Sequence, residues 1–99
     1  MTIIKDYVEK IKDELEGARE YAEKFVEYRV KEDMHTANMY KEMAEDELRH
    51  AAFEHKMAVQ AIEKMRSHIT PPEDMLEKWE KAHKEYVQDA AWTKKMLEL

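Results

Sequence analysis

Two glutamates and a histidine can do chemistry together in this chain: Glu14, Glu47 and His50. Glu47 and His50 stand three residues apart, so on a helix they project from neighbouring points of one face. Glu54 follows one heptad after Glu47, on the same side. Carboxylate oxygens and an imidazole nitrogen are the donors that suit iron, manganese or zinc. The positions matter as much as the types. All of them fall on the inward half of apolar-patterned segments, and an unpaired buried carboxylate costs several kcal/mol even after relaxation. A bound cation removes that cost directly. Lys, Arg or Tyr hydroxyls across an interface would also remove it, and that alternative stays open here. Spacing alone does not single out the pair, because three of the five histidines follow a Glu by three residues: Glu32/His35, Glu47/His50 and Glu80/His83. The first falls in a turn, and Glu80 lies off the apolar stripe of its segment.

The elements that must position these residues are helices. The 99 residues form a single domain, with one Gly, two Pro and 40% charged residues. Long breaker-free runs of Glu, Lys, Ala, Leu and Met read as helix, and a hydrophobic share of 43% is too high for a disordered chain. The punctuation is Thr70-Pro71-Pro72 and a weaker break at Glu32-Asp33, where Asp33 caps the next helix. These signals predict an all-α chain with helices over about 2–31, 34–68 and 73–97.

The first helix carries the seam Ile4, Ile11, Ala18, Phe25, with Tyr7, Glu14, Tyr21 and Tyr28 beside it. The second carries Ala37, Ala44, Ala51, Ala58 and Met65, flanked by Tyr40, Glu47, Glu54 and Ala61 and by Met43, His50 and Met57. If the two form an antiparallel hairpin turning near residue 32 or 33, Glu14 comes level with His50. It then lies within about one turn of Glu47, at a rise of about 1.5 Å per residue. The third helix is amphipathic through Leu76, Trp79, His83, Tyr86, Ala90, Thr93 and Leu97 and reads as a lid over the bundle or an oligomer interface. His83 falls level with Met57, about 10 Å along the axis from His50. It reads as a core or interface residue, and His55 as a flanking one. Gly17, a mid-helix glycine that costs roughly 1 kcal/mol relative to Ala, marks either a close approach near Glu14 or neutral drift. The methionines read as flexible core filler.

Net charge of −6 and the absence of clustered Lys and Arg speak against nucleic-acid binding. With no Cys, thiolate chemistry and iron–sulfur clusters are excluded. Met1-Thr2-Ile3-Ile4-Lys5-Asp6 does not lead into an apolar run, and no stretch is long and apolar enough for a membrane span. The expectation is a soluble cytoplasmic protein with no membrane role.

The segment Glu14-Leu15-Glu16-Gly17-Ala18-Arg19-Glu20-Tyr21 resembles the Glu-x6-Tyr pattern on the first helix of the rubrerythrin branch of the ferritin-like superfamily. Ala44-Glu45-Asp46-Glu47-Leu48-Arg49-His50-Ala51 resembles the Glu-x-x-His segment of its second helix. The resemblance covers about residues 10–62, half of a complete family bundle. It implies that Glu14, Glu47 and His50 are di-iron ligands and that Tyr21 hydrogen-bonds a ligand carboxylate. Glu54 would be an additional ligand, a carboxylate lining the way in, or an ordinary surface residue. A di-iron carboxylate bundle needs two Glu and two Glu-x-x-His sets. The chain therefore looks like encapsulated-ferritin-type half-bundles, which complete the site as a homodimer or a multiple of dimers. The implied activity is ferroxidase-like or peroxide-scavenging, with O2 or peroxide as oxidant; without Cys, no rubredoxin-like partner site exists. The Pro-Pro turn and third helix also look like small ferritin-like proteins of phage and prophage genomes. The competing expectation is a non-enzymatic acidic helical interaction protein of phage accessory or inhibitor type.

Overall fold

A computed structural model describes residues 2–99. It contains three helices, α1 (Thr2–Val30), α2 (Met34–Arg66) and α3 (Glu73–Leu97), and no strand among the described residues. The expected boundaries hold to within two residues. α1 and α2 form an antiparallel hairpin: Tyr28 packs on Tyr40 near the turn, and Lys10 reaches Glu54 farther out.

Local chemistry explains the turn. The amide of Asp33 donates to the Tyr28 carbonyl and that of Glu32 to the Arg29 carbonyl, at 2.9 and 3.0 Å. This double bond pattern closes a helix C-terminus around a left-handed residue, and Glu32 takes that conformation with φ of 62°. Asp33 then opens α2, its carboxylate accepting from the Thr36 amide at 3.1 Å. At the far end, α2 stops two residues short of the expected limit. Ser67 turns its hydroxyl onto the Lys64 carbonyl, and Pro71-Pro72 precede α3. Glu73 and Asp74 in the first turn of α3, and Lys94 and Lys95 in the last, match the helix dipole.

The hairpin is tight because its seam is small. Ala18, Ala22, Ala37, Ala44, Ala51 and Ala58 are fully buried, so the two backbones approach closely, while Ile11, Leu15, Phe25 and Leu48 fill the space beside them. Burying each of those larger side chains contributes about 1.5–3 kcal/mol. Helix α3 lies along one side of the hairpin. Its Thr93, Trp92 and Asp89 face Val8, Ile11, Leu15 and Arg19 of α1, its Leu97 lies beside Leu48 of α2, and Arg19 stacks on Trp92 at 4.4 Å. Its apolar stripe does act as a cover, over this one side. The other side of the hairpin is open, with Met43 and Met57, one heptad either side of His50 on α2, exposed, while the exposed Met39 and Phe53 lie farther round toward the back of α2. No helix is long and apolar enough to cross a membrane among the described residues.

Candidate metal centre

The antiparallel register brings Glu14 of α1 level with Glu47 and His50 of α2. One ligand atom from each lies within 4.8 Å of the others. His50 Nδ1 is 3.4 Å from Glu14 Oε2 and 4.0 Å from Glu47 Oε1. Three donors around one ion, each at roughly 2.0–2.2 Å, stand about 3–4 Å apart, so the spacing fits a single cation between them. The donor set of two carboxylates and one imidazole fits iron, manganese or zinc and leaves coordination positions free. The group sits on the open side of the hairpin. Glu14 and Glu47 are mostly covered, whereas the His50 side chain is 60% exposed.

Burial holds the Glu47 carboxyl above its usual range, and a proton shared with Glu14 and the Glu14 charge push the same way; His50 pulls it partly back. A cation placed between the carboxylates would supersede the shared proton.

Two other expected site residues stand apart from this group. Glu54 is not among the convergent ligands; its carboxylate lies 3.8 Å from Lys10 Nζ, and that lysine supplies the compensating charge. Tyr21 packs its ring against Tyr40 at 6.2 Å, and Tyr40 stacks on Tyr28 at 5.6 Å. Side-chain hydrogen bonds among the described residues include none from Tyr21 to either carboxylate.

His55 and His83 meet each other rather than the metal group. His55 Nε2 and His83 Nδ1 are 2.7 Å apart, joining α2 to α3. The His55 ring stacks on Tyr86 at 4.5 Å and tilts against Trp79 at 5.1 Å. Burial first, then His83, lowers the His55 pKa. This pair was not foreseen from the sequence. The signal was there in the row Leu48, His55, Ile62, which repeats every seven residues on the side of α2 that α3 covers.

No protein-family model matches the chain, and no curated protein or solved structure matches it either. The ferritin-like resemblance therefore rests on the sequence segments 14–21 and 44–51 alone.

Proposed function

We propose that this chain is a ferritin-like metal-binding protein whose di-iron carboxylate site forms between two copies. The observation that carries the reading is the convergence of Glu14, Glu47 and His50 on the uncovered side of the hairpin. One hairpin offers one Glu and one Glu-x-x-His. A two-fold axis over the open side would bring two Glu14, two Glu47 and two His50 around a pair of ions, the set that a di-iron carboxylate bundle uses. Two Fe(II) held there would give one electron each to O2 or peroxide, the ferroxidase-like or peroxide-scavenging reaction. The residues' part is to hold and neutralise the ions: Glu14 and Glu47 would supply charge and His50 a terminal nitrogen. Manganese or zinc would fit the same donors.

The test is metal content measured together with oligomeric mass, on protein loaded anaerobically with Fe(II) and then desalted. The reading expects about one iron per chain in a dimer or a multiple of dimers, and near-complete loss of iron in Glu47→Ala and His50→Ala. Full binding by both variants, or a protein that takes up none of Fe(II), Mn(II) and Zn(II), would overturn it. The exposed Met43 and Met57, with Met39 and Phe53 farther round α2, favour a second reading, a non-enzymatic helical protein that docks on another protein through exposed apolar side chains of α2. A metal-indifferent chain would leave that reading standing.

A further inference from the structure

Gly17 is the only glycine in the chain and lies inside α1, three residues beyond Glu14. Its backbone does not call for glycine, since it is regular helix without a left-handed φ. What the missing side chain changes is space. A Cβ built on Gly17 would stand 3.1 Å from Glu47 Oε2, 3.5 Å from its Cδ and 3.7 Å from its Cγ. All three nearest atoms therefore belong to one residue, and that residue is a member of the metal group. Glu47 rests one carboxylate oxygen in a notch on α1, while the other oxygen is turned toward His50.

We infer that Gly17 is a positioning residue of the metal centre: the notch it leaves in α1 seats the Glu47 carboxylate beside Glu14 and His50. The inference rests on the metal-binding reading above. An alanine methyl at 3.1 Å would require the carboxylate to move by a few tenths of an ångström. Metal–ligand distances tolerate about 0.2 Å, so a shift of that size matters at a ligand oxygen although it would be trivial at a surface side chain. Helix propensity runs the other way, because alanine is the better helix former. Affinity and helix stability are thus set against each other at this one position.

The experiment compares the full chain with Gly17→Ala by titration with Mn(II) under anaerobic conditions, alongside thermal unfolding of the metal-free proteins. Mn(II) binding is expected to weaken about tenfold, the size seen when a residue supporting a ligand is altered. The metal-free Gly17→Ala protein is expected to stay folded, and its gain in melting temperature should be larger in a Glu47→Ala background, where no carboxylate fills the notch. Mn(II) binding within twofold of the unaltered protein would overturn the inference while leaving the metal centre intact. Equal gains in melting temperature in both backgrounds would also overturn it. If the unaltered protein binds none of Mn(II), Fe(II) and Zn(II), the metal reading fails and this inference falls with it.

Discussion

At the scale of single residues, His50 and His55 sit in different surroundings. His50 stands at the exposed rim of an acidic group, while His55 is half-buried among Trp79, His83 and Tyr86 of α3. A base whose pKa falls on folding is held neutral by the fold. Its stabilising contribution is present above the unfolded value near 6.5 and is lost as pH drops below it. Denaturant unfolding at pH 7.5 and at pH 5.5 should therefore show a weaker protein at the lower pH, and His55→Phe should shrink that difference. An unchanged difference in the variant would assign the acid sensitivity elsewhere. Glu47 titrates with the opposite sign, since a carboxyl raised on folding favours the folded state at low pH, which is why the variant comparison and not the raw profile isolates His55. The convergence of Glu14, Glu47 and His50 was readable in the sequence, because mirroring two helices about a turn fixes axial levels. Contacts that depend on side-chain direction were not readable. Nothing in the spacing says that Lys10 captures Glu54 or that Glu47 leans on Gly17.

At the scale of elements, the hairpin turn carries a local misfit. Glu32 adopts a left-handed φ of 62°, a conformation that costs a residue with a Cβ about 1–2 kcal/mol and glycine almost nothing. Glu32→Gly should raise the stability of the protein by up to about 1 kcal/mol, seen as a melting temperature several degrees higher, with metal binding unaltered. A variant that melts lower would mean that the Glu32 side chain holds the turn in a way its exposed position does not suggest. Two helix limits were legible because they have a chemical sign, Asp33 as cap of α2 and Pro71-Pro72 before α3; the left-handed conformation of Glu32 was not, because a glutamate does not announce one. The side chosen by α3 was not. Its apolar stripe specifies that it covers something, and both sides of the hairpin offered apolar residues. The side it takes presents Leu15 and Leu48; the side it leaves keeps Met43 and Met57, one heptad either side of His50, exposed.

At the scale of the whole molecule, the chain is a rod of 55 × 17 × 17 Å with a radius of gyration of 16.0 Å, larger than the roughly 13 Å of a compact domain of this size. Pairing through the open side would set two rods alongside each other. Small-angle scattering of the metal-loaded protein should then give twice the mass at a maximum dimension near the 55 Å of one copy. A dimer close to twice as long would be joined end to end and would sink the shared-site arrangement. Each copy carries a net charge of −6, so the copies repel until charge is offset at the interface. In the proposed dimer two dications would balance the four site carboxylates, so mass should track metal loading and fall when a chelator is added.

The third helix supplies none of Glu14, Glu47 and His50, and this has a consequence for the order of events as the chain folds. Tyr28 meets Tyr40 across a short loop, and pairing can then run outward along α1 and α2 in small steps, each closing little additional chain. Contacts of α3 with Val8, Ile11 and Leu15 close far longer loops. Met75 of α3 meets Ile62 of α2 across a loop as short as the one between α1 and α2, but pairing α1 with α2 alone is enough to bring Glu14, Glu47 and His50 level, before α3 reaches α1. Once α3 lies against α1 it occludes one side of the hairpin, so two copies that met afterwards would have the side of Glu14, Glu47 and His50 left to pair through.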